Sequence, residues 1–140
     1  MDIKTIGVVG CGTMGSGIAQ VAACSGLDVI LSDVTDDLLK RSVAGIDKSL
    51  SKLIEKGKLA GPKEALLGRI KTTTRLEDMK AAQFAVEAVT EDFEVKKKVL
   101  LELDRVLAPE VILASNTSSI SITRLGALTK RAGRLKQPAG

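Results

Sequence analysis

Apolar residues in this chain fall into short blocks, and the polar stretches between them carry a helical period. The apolar runs Thr5–Val9, Asp28–Leu31, Phe84–Val89 and Val111–Ala114 predict strands, and Ile70–Thr74 predicts a weaker one. Between the first two, Thr13 to Cys24 predicts a helix that stops at Gly26. After Asp33, Thr35 reads as an N-cap with Asp36 and Asp37 in the first turn. Leu39, Val43, Ile46, Leu50 and Leu53 then recur with a period near 3.6, while Ser49, Lys52 and Lys56 share the opposite, exposed face. Gly57 and Gly61-Pro62 break this helix, and Lys63–Leu67 predicts a short one. Glu91–Leu107 predicts a further amphipathic helix, with Phe93, Val99, Leu100, Leu103 and Val106 inward and Pro109 as its stop. Alternating strands and helices predict an α/β domain, a doubly wound parallel sheet covered on both faces. The connection after the second strand exceeds what a crossover needs, so it reads as a long helical insertion.

The first turn carries the chemistry. Gly10, Gly12 and Gly15 form a Gly-x-Gly-x-x-Gly pattern between a predicted strand and helix, and Asp33 ends the next strand 23 positions after Gly10. In this context the first glycine permits the tight turn, and the second lets backbone N–H groups approach a pyrophosphate at the helix N-terminus. The third lets the helix lie close to the sheet. Asp33 is placed to accept hydrogen bonds from an adenosine ribose, which makes the unit a Rossmann-type dinucleotide site. A carboxylate there repels the 2′-phosphate of NADP, and Val34 and Thr35 supply no positive charge, so NAD is expected over NADP. The fingerprint alone leaves FAD and a methyltransferase-type site open.

Composition narrows the classes. At 140 residues the chain is read as one domain with a full core, and no apolar run approaches a membrane span, so a soluble protein is expected. The N-terminus leads directly into a strand with no room for a targeting peptide, which points to the cytoplasm. Cys11 and Cys24 lie about 20 Å apart along one helix, too far for a disulfide. Cys11 reads as a small residue in the cofactor turn. No cluster has metal-ligand spacing, and the chain contains no histidine, which argues against zinc. Of the net charge of +4, five basic residues lie between Arg124 and Gly140 with no acid, leaving 16 basic against 17 acidic residues elsewhere. That basic tail has no aromatic residue on which a base could stack, so nucleic acid is not expected as a partner.

Polar residues at the carboxyl end of a parallel strand mark a ligand edge, and the chain reads ASNTSSISI from Ala114 to Ile122. Together with GVVGCGTMGSGIAQVAA and EAVTEDFEVKK, this phrase closely resembles the NAD-binding domain of the 3-hydroxyacyl-CoA dehydrogenase family, nearest to the bacterial 3-hydroxybutyryl-CoA dehydrogenases. The resemblance covers residues 3 to 131. It implies that Gly10, Gly12, Thr13, Met14 and Gly15 form the pyrophosphate turn and that Asp33 holds the ribose. It further implies that Glu91 and Lys96 contact NAD, and that Ser118 hydrogen-bonds the substrate 3-oxygen with Asn116 beside it. Ser49 and Lys56 match positions that contact coenzyme A, so an acyl-CoA is the expected substrate.

The reaction implied is reversible hydride transfer between C3 of a 3-hydroxyacyl-CoA and nicotinamide C4. The family's base is a histidine in a Gly-x-His-Phe phrase, followed by a helical C-terminal domain. Neither has a counterpart here: after Arg131 the chain reads AGRLKQPAG. Residues 1–131 are therefore read as an incomplete NAD-binding domain and 132–140 as a basic tail that departs from the family. Two functions follow as expectations: an NAD-dependent dehydrogenase by family, and a truncated NAD-binding module without turnover of its own. An uncovered sheet edge makes a homo-oligomer one expected state.

Overall fold

The structure, a computed structural model, describes residues 3–60, 62–89, 93–115 and 135–136. Its strands are β1 (Thr5–Val9), β2 (Asp28–Ser32), β3 (Ile70–Thr73), β4 (Phe84–Glu87), β5 (Ile112–Ser115) and β6 (Leu135–Lys136). Its helices are α1 (Thr13–Cys24), α2 (Asp36–Glu55), α3 (Lys63–Leu67) and α4 (Phe93–Val106). The strands form one parallel sheet in the order β3-β2-β1-β4-β5-β6. The order reverses beside β1, whose register partners are β2 on one side and β4 on the other.

Successive residues of β1 feed opposite layers, as a strand buried on both faces requires. Val8 packs with Ala19, Ala22, Leu39, Ile46 and Leu50 of α1 and α2. Val9 packs with Met79, Leu100, Leu103 and Leu113 on the α4 side. Small residues on α1 let it lie close to the sheet, with Gly15, Ala19, Ala22 and Ala23 all buried. Thr35 caps α2 by accepting a hydrogen bond from the Leu38 N–H at 3.3 Å.

Strand ends differ from the sequence expectation by one or two residues, with local causes. β4 stops at Glu87, short of Val89, because the Val89 N–H donates to the Glu87 carboxylate at 2.6 Å and leaves the ladder. Val111 is buried but precedes β5, its N–H donating to the Ala108 carbonyl at 3.0 Å. The 3₁₀ turn Leu76–Ala81 was not predicted, and it buries Met79 completely against β1. An added Cβ at Gly7 would lie 2.5 Å from the Met79 sulfur.

Two backbone constraints set the turn out of β1. Gly10 has φ +101°, and a Cβ there would stand 2.6 Å from the Ala88 carbonyl oxygen. A Cβ at Gly15 would stand 1.6 Å from the Gly10 carbonyl oxygen, so helix and turn touch backbone to backbone. Hydrogen bonds join this turn to the end of β2. The Gly10 N–H donates to the Ser32 carbonyl at 2.8 Å, and the Cys11 N–H to Asp33 Oδ2 at 2.8 Å. The Val34 N–H donates to Asp33 Oδ1 at 2.7 Å. Partial burial pushes the Asp33 carboxyl up, but the Cys11 and Val34 N–H groups and the Cys11 thiol outweigh it and hold the group below its ordinary value.

Gly15→Ala should cost about 3 kcal/mol or more in chemical denaturation, since only backbone can give way. Gly17→Ala, in the same helix with nothing within 4 Å of the new methyl, should instead gain about 0.5–1 kcal/mol. A depressed Asp33 predicts a pH signature. Its contribution is fully present above the unfolded carboxylate value of about 3.9 and is lost as pH falls through the lower folded value. The stability gap between the wild-type chain and Asp33→Asn should thus stay constant from neutrality to about pH 5 and close in stronger acid. A gap that never closes would contradict it.

Candidate functional site

The carboxyl ends of β1, β2 and β4 meet around the start of α1, at the point where the strand order reverses. In open parallel sheets this crevice is where ligands sit. Gly12 occupies the N-cap position with extended backbone and no side chain to cap the helix. The N–H groups of the first turn therefore meet the positive end of the helix dipole without a capping side chain from Gly12 and without an acid among them. A Cβ at Gly12 would touch no protein atom within 4 Å. Unlike Gly10 and Gly15, this glycine is not demanded by the protein's own packing; it keeps clear the space in front of the helix.

A cleft of about 570 Å³ opens beside this N-terminus. Gly10, Gly12 and Asp33 form its polar side, and Val34, Thr74, Leu76, Val89, Val95 and Val99 are among its walls. It is mostly apolar with one anionic group at the end of β2. A second cleft of about 520 Å³ lies on the other side of the glycine turn, between α1 and α2, and shares Gly12 and Asp33 with the first. Thr13, Ser16, Gln20, Arg41 and Ser42 line it. Ser16 and Ser42 hydroxyls bond at 2.5 Å, tying the two helices together. Burial, reinforced by the Asp33 carboxylate, pushes the Cys11 thiol up to about 12. Cys11 is thus an unreactive small residue of the turn, as its position in the sequence suggested.

Behind the first cleft lies a buried polar cluster. Lys96 of α4 is 1% exposed, and its ammonium lies 3.0 Å from Glu87 Oε2 and 3.1 Å from the Val89 carbonyl. Glu87 is 0% exposed and also accepts a short hydrogen bond from the Ser115 hydroxyl.

The residues expected from the sequence divide into three groups. Gly10, Gly12 and Asp33 come together at the cleft, with Gly15 closing the turn beneath and Thr13 on the second cleft. Met14 lies exposed on the first turn of α1. Lys96 points into the buried cluster and is not among the residues lining either cleft. Ser49 and Lys56 line neither cleft: Ser49, half-buried and not on an exposed face as expected, accepts a hydrogen bond at 3.0 Å from Gln20 at the wall of the second cleft, and Lys56 is the exposed C-cap of α2. Glu91, Asn116 and Ser118 lie outside the described residues. Sequence reasoning missed Glu87 and Ser115, although a glutamate inside the apolar run FAVEAV is itself a signal, because an acid in a central strand needs a partner. It also missed the Thr74–Leu76 wall, which local periodicity does not reveal.

Comparison with known proteins agrees with this geometry. The family described as "3-hydroxyacyl-CoA dehydrogenase, NAD binding domain" matches residues 5–137, a span that extends past Arg131. A probable 3-hydroxybutyryl-CoA dehydrogenase of Deinococcus radiodurans is 49% identical over 125 residues, covering 89% of this chain and 45% of the relative. The 3-hydroxybutyryl-CoA dehydrogenase of Bradyrhizobium diazoefficiens is 46% identical over 133 residues, covering 94% and 45%. The crystal structure of (S)-3-hydroxybutyryl-CoA dehydrogenase from Ralstonia eutropha superposes with a TM-score of 0.90 at 47% identity, over 96% of this chain and 48% of that one. The chain thus spans about half the length of the relatives it matches. Among the described residues no helix is long and apolar enough to cross a membrane. With its reversed strand order, its glycine turn and a family match over nearly all its length, the chain belongs to the 3-hydroxyacyl-CoA dehydrogenase family, as the NAD-binding domain of that family.

Proposed function

We propose that the chain holds NAD along the carboxyl edge of the sheet and forms the cofactor half of an enzyme that oxidises 3-hydroxyacyl-CoA esters, such as 3-hydroxybutyryl-CoA, to 3-oxoacyl-CoA. The observation that carries the reading is the apolar cleft with Asp33 at one end and the open N-terminus of α1 beside it. The residues present fit the cofactor. The clear space at Gly12 suits a pyrophosphate on the first-turn N–H groups, and each Asp33 oxygen keeps acceptor capacity beyond its one backbone N–H. The valines and Leu76 offer an adenine ring apolar walls. When bound, NAD supplies a hydride acceptor at nicotinamide C4.

The chain's own residues then have separable duties. Asp33 fixes the ribose and, through Cys11, the glycine turn. Ser118 donates a hydrogen bond to the substrate 3-oxygen, with Asn116 beside it, and Glu91 contacts NAD. Ser49 and Lys56, seven residues or about 10 Å apart on α2, take the coenzyme A portion, the cationic Lys56 suiting its phosphates. Oxidising the hydroxyl also requires a base to take its proton. The 140 residues contain no histidine, and a serine hydroxyl without an activating partner is not basic enough at neutral pH. This observation favours a second reading for the 140 residues by themselves, as an NAD-binding module whose turnover needs a base from outside them.

Asp33→Ala should weaken NADH binding by about 1–3 kcal/mol, the range for hydrogen bonds to a charged group. It should also lower stability by releasing the Cys11 N–H. Gly12→Ala separates the two roles: its NADH affinity should fall while its melting temperature stays near wild type. Unchanged affinity in both variants would refute the cofactor placement. Lys56→Ala should weaken a CoA ester and leave NADH alone; equal loss of both would refute the division of sites. Purified chain, incubated with NADH and acetoacetyl-CoA and followed by NADH absorbance, should bind NADH without turnover. Turnover that scales with protein and disappears in Ser118→Ala would instead establish a base within the 140 residues.

A further inference from the structure

No described ion pair is as buried as Glu87–Lys96, whose side chains are 0% and 2% exposed; in each of the others both side chains are at least 29% exposed. A buried pair contributes little net stability compared with apolar residues of the same volume. What this one does is geometric. Glu87 ends β4, with Val9 of β1 and Ser115 of β5 as its two register partners. One of its oxygens takes the Val89 N–H at 2.6 Å and the Lys96 ammonium at 3.0 Å. The other takes the Ser115 hydroxyl and, at 3.3 Å, the same ammonium. A carboxylate offers about four acceptor positions, and these contacts occupy them. Lys96 also donates to the Val89 carbonyl at 3.1 Å, closing a ring of charge-assisted bonds around the end of β4.

We propose that Glu87 is a positioning residue for the reacting end of the cofactor, its carboxylate locking together the exits of β4 and β5 and the start of α4. The inference rests on the NAD reading above. With the pyrophosphate at the α1 turn and the adenosine ribose at Asp33, which follows β2, the other half of an extended dinucleotide lies across β4 and β5. Val89 lines the cleft directly, and Ser115 is followed in sequence by Asn116, Thr117 and Ser118. Both segments leave the sheet from atoms that Glu87 holds. Asp33 and the glycine turn hold the adenosine half through hydrogen bonds of their own, and that half meets the β4 exit where Gly10 lies against the Ala88 carbonyl, a contact that uses no bond of the Glu87 carboxylate.

The test compares two ligands on the full 140-residue chain. ADP-ribose reports the adenosine and pyrophosphate half, and NADH reports both halves. Glu87→Gln keeps the volume but removes the charge. It should raise the Kd for NADH about tenfold, the effect of misplacing one charge-assisted contact, while ADP-ribose stays within about twofold. Equal weakening of both ligands, or no change in either, would overturn the positioning role. Should Glu87→Gln fail to fold, Ser115→Ala removes one hydroxyl and no charge. It should weaken NADH about threefold with ADP-ribose unchanged, and an unaltered ratio there would overturn the role equally. A wild-type chain that binds neither ligand would overturn the NAD reading and this inference with it. A chain that binds both, with the ratio unmoved in the variants, removes only the role of Glu87.

Discussion

The site depends on how closely two backbones approach at the end of β1. Gly10 turns the chain with a positive φ while lying against the Ala88 carbonyl, and Gly15 brings α1 onto the Gly10 carbonyl. Neither position has room for a methyl group. Because the contact is backbone against backbone, no rotamer change can relieve a substitution, and the direction of α1 is set within a few residues of the strand. That direction aims the positive end of a 12-residue helix at the crevice where the strand order reverses. Gly12 sits between the two with open space before it, which separates glycine demanded by packing from glycine left clear for a ligand.

Two carboxylates hold the strand exits on either side of this turn. Asp33 is partly exposed and binds the N–H groups of Cys11 and Val34, so it belongs both to the scaffold and to the cleft. Glu87 is fully buried and reaches Val89, Lys96 and Ser115. One keeps solvent-facing acceptor capacity, and the other is saturated by the protein. The contrast follows from burial: a carboxylate withdrawn from water needs a full set of donors, whereas one at a rim can share its donors with a ligand. The cofactor edge is therefore stiffened from within at β4 and β5 and left open to a ligand at β2.

Much of this was legible from the residues. Among the described residues, the five longer strands and the four helices lie where hydrophobic period and turn residues predicted them, within about two residues at each end. The glycine turn and Asp33 come together because that motif is local, a strand, a turn and a helix followed by the next strand, and its spacing encodes its geometry. Residues expected to act from farther along the chain were less legible. Lys96 was expected from the family resemblance to contact NAD, whereas its ammonium is turned into the Glu87 cluster. The 3₁₀ turn that buries Met79 and supplies Leu76 to the cleft carries too short a pattern to announce itself.

By itself the sequence determined the fold class, the dinucleotide turn, the NAD-binding character of the domain and the family, since each rests on residue types at short, fixed spacings. Tertiary structure alone decided which glycines are sterically required, that Asp33, expected to hold a ribose, also clamps the glycine turn, and that Glu87 joins two strand exits. Those facts depend on groups brought together from positions as far apart in the chain as Gly10 and Ala88. No local pattern encodes such an approach, because it is fixed only when the sheet register aligns Val9, Glu87 and Ser115 across three neighbouring strands.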